Sequence, residues 1–362
     1  MGDGASDRAA GRSRKGETTV RDGFLVIDSD GHVHENPDEL RSHLDSRFKN
    51  YPTRGGGFVD RSVNGKFGQR AGTAEIQVHD MDVEGVDTAV LYTTTLLGTW
   101  ALRNQEFSVA LHRAYNDWLA EFCAYAPDRL KGVACLPMVA PEEVAKELER
   151  SVTQLGLVGG MAHTYVYNHQ LGDTCYDDLY ACAQQYEVPI AFHAQGSEIE
   201  RFGRTDTFLA EHTLGHTFEQ MISMVQVIYA GIPEKFPRLR IAFLEGMVGW
   251  IPMLAERMDE EYEHRAFEAP LLTMEPSEYL KSGRIFFGCE PEEGPIPAVI
   301  QFLGSDETLV YSSDYPHWDG SFPNSTRKLA DRMDLTDQNK RNIFGENARR
   351  LYPALARVPA GV

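Results

Sequence analysis

The sequence predicts an α/β fold, a (β/α)8 barrel of the TIM type with inserted loops, on three observations. First, short apolar runs rich in β-branched and aromatic residues recur at residues 24–27, 88–92, 131–136, 156–160, 188–192, 239–244, 284–287 and 308–311. Their lengths and two-sided apolarity suit strands of a parallel sheet covered on both faces. Second, helical patterns lie between the runs, as crossovers between parallel strands require. Third, carboxylates and imidazoles stand at or just past the ends of these runs, where a closed barrel assembles its chemistry. A doubly wound sheet is the competitor, but it usually carries a Gly-rich phosphate loop after its first strand, and none is present.

The elements follow in order. The first strand leads into Asp28-Ser29-Asp30-Gly31-His32-Val33-His34-Glu35. Gly85 ends a helix before the second strand. Residues 104–124 carry Phe107, Leu111, Tyr115, Trp118, Leu119 and Phe122 at helical spacing. Residues 141–155 open with Pro-Glu-Glu and stop before Gly156, a helix with both ends marked. Residues 250–263 show a charged face, Glu256, Arg257, Asp259, Glu260 and Glu261, that reads as solvated helix surface. Residues 51–72 (polar, with Gly55-Gly56-Gly57) and 314–324 (aromatic, Gly- and Pro-rich) fit no repeat and read as lids or substrate-binding loops. Residues 1–21 lack an apolar core and read as a disordered tail, not a secretory signal. Residues 22–362 are then one barrel domain.

Composition narrows the function. A chain of 362 residues with 42% apolar and 25% charged residues can bury a large core. A net charge of -19 argues against nucleic acid and anionic membrane surfaces as partners. No apolar run approaches the roughly 20 residues of a membrane helix. The five cysteines show no CxxC and read as reduced thiols, Cys289 included, in a cytoplasmic protein. A Gly-x-Ser-x-Gly elbow, a P-loop and a dinucleotide fingerprint are all absent.

The chemistry concentrates at strand ends. Asp30 and His32, two residues apart, point the same way from an extended segment. His34 and Glu35 are further candidate ligands or partners of ligands before Asn36-Pro37 breaks the strand. His163 follows the fourth run, His193 the fifth, Glu245 the sixth, Glu290 the seventh, and Asp314 with His317 the eighth. Close carboxylates cannot all stay ionised without a cation. Mixed carboxylate and imidazole donors suit zinc, manganese or iron. The expected metal ligands are therefore Asp30, His32, His193, Asp314, Glu245, His34 and Glu35. The expected catalytic groups are Asp314, Glu245 and His216, the last sharing a helical face with His212 at i, i+4. The expected substrate-binding residues are His163, Tyr315, His317 and Trp318, with Arg103 or Arg204 able to pair a substrate carboxylate. His79, His112, His169 and His264 read as ordinary.

These residues resemble the amidohydrolase superfamily, in its amidohydrolase-related (amidohydrolase 2) branch. The markers are Val26-Ile27-Asp28-Ser29-Asp30-Gly31-His32, Met81-Asp82-Val83-Glu84-Gly85-Val86-Asp87, Ala114-Tyr115-Asn116-Asp117-Trp118, Phe236-Pro237-Arg238-Leu239, Phe243-Leu244-Glu245 and Ser312-Ser313-Asp314-Tyr315-Pro316-His317. The resemblance implies a metal-centred barrel, with the first-strand His-x-His pair of relatives replaced here by Asp30 and His32. It places the fifth-strand ligand on His193 and the eighth-strand aspartate on Asp314. Many relatives carry a histidine after strand six, where this chain has Glu245. The expected function is non-redox hydrolysis or decarboxylation of a small organic acid or ester, with a divalent metal (Zn, Mn or Fe), one or two per chain. The alternatives are an O₂-dependent dinuclear iron or manganese–iron hydroxylase and a metal-binding partner subunit. A homo-oligomer, or a hetero-oligomer with a related barrel, is the expected assembly.

Overall fold

A computed structural model describes residues 23–49, 72–195 and 207–357. The tail expected over residues 1–21, the polar stretch 51–71 and Arg204 lie outside the described residues. Nine parallel strands run in chain order: β1 (Ile27–Val33), β2 (Thr88–Thr93), β3 (Leu130–Gly132), β4 (Ala134–Cys135), β5 (Gly160–His163), β6 (Ile190–His193), β7 (Ile241–Leu244), β8 (Ile285–Cys289) and β9 (Leu309–Tyr311). Each pairs with its predecessor in the orders β1-β2-β3 and β4-β5-β6-β7-β8-β9. β3 and β4 are one barrel strand interrupted at Val133, whose N–H still donates to Leu91 O at 3.0 Å. The last seam closes just past β9: Asp314 N–H donates to Asp30 O at 3.1 Å and His32 N–H to Tyr315 O at 2.7 Å. Eight strand positions thus form the predicted barrel.

Helices α1 (Pro37–His43) and α2 (Ala74–Glu84) follow β1, and α3 (Gln105–Cys123) follows β2. α4 (Pro141–Gln154), α5 (Asp177–Gln185), α6 (Phe208–Tyr229) with α7 (Ile232–Lys235), and α8 (Ile251–Arg265) with α9 (Pro276–Leu280) follow β4, β5, β6 and β7. α10 (Ile296–Leu303) follows β8. The expected boundary signals act locally. Thr73 caps α2, accepting from Ile76 N–H, and Gly85 ends it at φ 84°, a left-handed conformation that glycine adopts without penalty. Asn104 caps α3 and Pro141 opens α4.

Two strand boundaries differ from expectation, and both move chemistry into the strands. In the run at 156–160 the strand itself begins only at Gly160, because Gly156 at φ 73° follows the end of α4, although Val158 N–H already donates to Gly132 O at 2.9 Å. His163 is therefore the last residue of β5. The first strand begins at Ile27 and carries Asp28, Asp30 and His32 within it, every residue buried. A polar run reads as loop by composition, yet here backbone pairing continues through it. Its register against β2 shifts between Asp28 and Gly31. Gly31 has no room for more, since a Cβ there would stand 3.1 Å from Asp28 Oδ2.

Side-chain alternation separates barrel interior from exterior. Phe192, Phe243 and Phe287 occupy one register line on β6, β7 and β8 and stack with centroids 5.6 and 6.0 Å apart. Their neighbours one residue on, His193 and Leu244, face the other way, into the barrel. His163 and His193 are register partners on β5 and β6, so both imidazoles stand on the interior side.

Candidate metal centre

The side chains of β1, β6 and the β9 end converge at the carboxyl end of the barrel. His193 Nε2 lies 3.0 Å from His32 Nε2 and 3.2 Å from Asp30 Oδ1, and His32 Nε2 lies 3.5 Å from Asp314 Oδ1. Asp30, His32 and His193 are buried and form one group of mutually close donor atoms, and His32, Asp314 and His317 form a second that shares His32. Tyr92 forms the floor, its ring 5.4 Å from that of His193 and its hydroxyl bonded to that of Tyr352.

Backbone carbonyls decide what this cluster can do. His32 Nδ1 is 2.8 Å from Thr93 O, and His193 Nδ1 is 2.8 Å from Ala194 O. A carbonyl only accepts, so each Nδ1 carries the proton, and in the neutral ring each Nε2 is left with a lone pair. Two lone pairs then face each other at 3.0 Å with the Asp30 carboxylate beside them. The charged form is no remedy for His32, because burial and the neighbouring His317 and His193 hold its pKa well below the usual range. Asp30 Oδ2 is buried with no hydrogen-bond partner. Such an assembly repels itself unless a cation sits among the donors, and a divalent metal fits this donor set.

The remaining expected residues fall into three places. Glu245 and Asp314 border the cluster. Glu245 Oε2 is 3.2 Å from His193 Nδ1, on the far side of that ring from the donors, and its Oε1 is 3.6 Å from His216 Nε2. Asp314 Oδ1 is 2.6 Å from His317 Nδ1, whose Nε2 is 3.1 Å from Thr94 Oγ1. Burial raises both carboxyls well above their ordinary pKa, reinforced for Glu245 by Asp314 and Asp30 and for Asp314 by Asp319 and Asp30. His216 is held down to about 3 by burial and His212.

Glu35 and His34 are not in the donor groups found among the described residues. Glu35 Oε1 accepts from Thr93 Oγ1 and from Thr94 N–H at 3.2 Å. Its Oε2 accepts from Thr95 N–H at 3.0 Å and Thr95 Oγ1 at 2.6 Å. A carboxylate offers about four acceptor positions, and all are occupied. The His34 ring stands edge-on to His317 at 6.5 Å.

His163, Tyr315 and Trp318 serve other contacts. His163 Nε2 is 3.1 Å from Leu96 O and 3.2 Å from Thr99 Oγ1. Tyr315 O–H donates to Asp80 Oδ2 on α2, away from the donors. Trp318 is 43% exposed and packs its ring 5.3 Å from His212, which also pairs with Asp319 at 3.4 Å. Sequence reasoning missed Thr93, Ala194 and Thr94, because two act through backbone carbonyls that carry no residue signature.

Comparison with known proteins identifies the family and the fold. The profile of the family described as Amidohydrolase matches residues 29–354. A γ-resorcylate decarboxylase of Polaromonas sp. is 26% identical over 295 residues, 75% of this chain and 87% of that enzyme. Another, from Rhodococcus jostii, is 29% identical over 196 residues, 51% of this chain, and the chain spans 59% of that relative's length. The solved 5-carboxyvanillate decarboxylase of Novosphingobium aromaticivorans, complexed with manganese and 4-hydroxy-3-methoxy-5-nitrobenzoic acid, shares the fold. Its TM-score is 0.76 at 22% identity, with 93% of this chain and 99% of that chain covered. The chain belongs to the amidohydrolase family.

Proposed function

We propose that the protein decarboxylates a small aromatic acid without redox chemistry, using one divalent metal held by Asp30, His32, His193 and Asp314. The observation that carries this reading is the pair of lone-pair-bearing Nε2 atoms 3.0 Å apart beside a buried carboxylate oxygen that lacks a partner. The named activities of the relatives, decarboxylation of γ-resorcylate and of 5-carboxyvanillate, support the acid and the reaction type. A metal bound there supplies a Lewis acid for the substrate carboxylate and its neighbouring oxygen.

The protein's own groups then manage the proton. Loss of CO₂ from an aromatic carbon requires a proton delivered to that carbon. Asp314 Oδ1 lies 2.6 Å from His317 Nδ1, so a proton can pass between the two, and burial favours the protonated carboxyl whenever Asp314 is not holding the metal. Asp314 therefore donates, and His317 restores the proton afterwards. Glu245 and His216 orient His193 and close the far side of the site, keeping water from the developing carbanion.

O₂-dependent hydroxylation has no support among the relatives reported above. A second metal would need further ligands, and Glu35 is saturated by Thr93–Thr95 while Glu245 faces Nδ1 of His193. The expected oligomer remains a proposal, tested by sedimentation.

The test combines elemental analysis with a CO₂-release assay on 2,6-dihydroxybenzoate and 5-carboxyvanillate. About one metal per chain with CO₂ release that needs no oxygen is the expected result. Two irons per chain with oxygen consumption would reverse the assignment.

A further inference from the structure

We infer that Glu35 is the positioning residue that sets the orientation of two imidazoles of the metal centre, His32 and His317, through the end of β2. The inference rests on the metal-centre reading above. Three consecutive residues, Thr93, Thr94 and Thr95, turn hydroxyl and N–H donors toward one carboxylate. The same residues reach the centre on their other side. Thr93 O takes the proton of His32 Nδ1 at 2.8 Å, and Thr94 Oγ1 lies 3.1 Å from His317 Nε2.

The local chain depends on that anchor. Thr93 Oγ1, while donating to Glu35, accepts from Leu96 N–H at 2.9 Å and so starts the 3₁₀ turn Thr95–Ala101. Among the described residues no lysine or arginine pairs with Glu35, so four neutral donors alone satisfy this buried carboxylate. Removing it leaves two backbone N–H groups without an acceptor at the point where the chain must hold Thr93 O against His32. A carbonyl that drifts no longer pins the Nδ1–H tautomer, and the Nε2 lone pair loses its aim. Partners that orient a ligating histidine in this way are worth about 10–100-fold in metal affinity.

The amide of a glutamine separates the two sides of the cradle. Its oxygen serves one pair of donors, and its NH₂ meets the other, donor against donor. The experiment measures Mn²⁺ affinity by competition with a chelator in wild type, Glu35→Gln and Glu35→Asp, and reads the His32 tautomer by ¹⁵N NMR on metal-free protein. We expect Mn²⁺ binding about 10–100-fold weaker in both variants, with the single Nδ1–H tautomer of His32 lost. Wild-type affinity with the tautomer intact overturns the inference. Should these variants fail to fold, Thr95→Val deletes one of the four bonds, and unchanged Mn²⁺ affinity together with an unchanged tautomer there overturns it equally. Failure of the wild type to bind Mn²⁺ sinks the metal-centre reading instead, while the tautomer measurement still decides the role of Glu35.

Discussion

Among the described residues, two buried histidine clusters inside the barrel differ in the groups around their ring nitrogens. In the first, His32 and His193 give their Nδ1 protons to carbonyls and turn bare Nε2 atoms toward Asp30 and each other. In the second, His112, His163 and Cys135 are equally buried and have donor atoms equally close together. There His112 Nδ1 donates to Ser108 O at 2.7 Å, and its Nε2 lies 3.1 Å from Thr99 Oγ1, whose hydroxyl donates to Leu96 O at 2.7 Å. His163 Nε2 faces Leu96 O and carries the proton, so its buried Nδ1, which has no hydrogen-bond partner, is the nitrogen with a lone pair. Cys135 keeps its proton too, since burial pushes its thiol pKa well above the usual value. The lesson is that residue type and burial do not define a metal site. What separates the two clusters is the third donor, a buried carboxylate oxygen without a partner in the first and a thiol that burial keeps protonated in the second.

The sharpest way to break the comparison is to truncate one histidine from each cluster. His193→Ala should lose most bound metal and at least about three powers of ten in turnover, the several kcal/mol that Lewis-acid stabilisation supplies. His163→Ala should keep its metal, and elemental analysis of both variants decides the matter. Equal metal loss in the two would erase the distinction. A smaller effect separates ligand from proton donor. Asp314→Asn should lower kcat by about 10²–10⁴-fold, the usual worth of a positioned acid, while retaining more metal than His193→Ala retains.

The smallest expected effect lies outside both clusters. Burial raises Glu219, on α6, to about 7, and raises Glu293, beyond β8, to about 7. Between about pH 4.5 and 7 each of these two groups binds more proton in the folded protein than in the unfolded chain, so its own contribution to stability of the metal-free protein falls as pH rises through that window. Glu219→Gln should flatten this slope by on the order of 1 kcal/mol across the window in chemical denaturation. A slope unchanged in that variant would remove Glu219 from the account.

Much of the first cluster was legible in the chain, and the reasons are local. Asp30 and His32 alternate on one extended segment, and His193 and Asp314 follow apolar strand runs, so period-two spacing and strand position found them. Glu35 stands apart from the donor groups because three threonines across the barrel wall fill its acceptor positions, and sequence shows a carboxylate near the motif but not those threonines. Tyr315 and His163 were drawn to the mouth by proximity in sequence, whereas their polar atoms are held by Asp80 and Leu96. Strand edges blurred for a related reason: the β1 polar run looks like a loop until its pairing with β2 and the β9 seam is seen.

Glu245 and Asp314, which end the β7 and β9 segments, both hold the backbone in the left-handed region, at φ 55° and 54°. Each such conformation costs a non-glycine residue on the order of 1–3 kcal/mol, least for asparagine and aspartate. A laboratory selection for heat resistance would therefore be drawn to these two codons, where glycine or asparagine relaxes the chain. The survivors would be sturdier barrels with silent active sites, so thermostabilisation campaigns on this scaffold need an activity screen at every round.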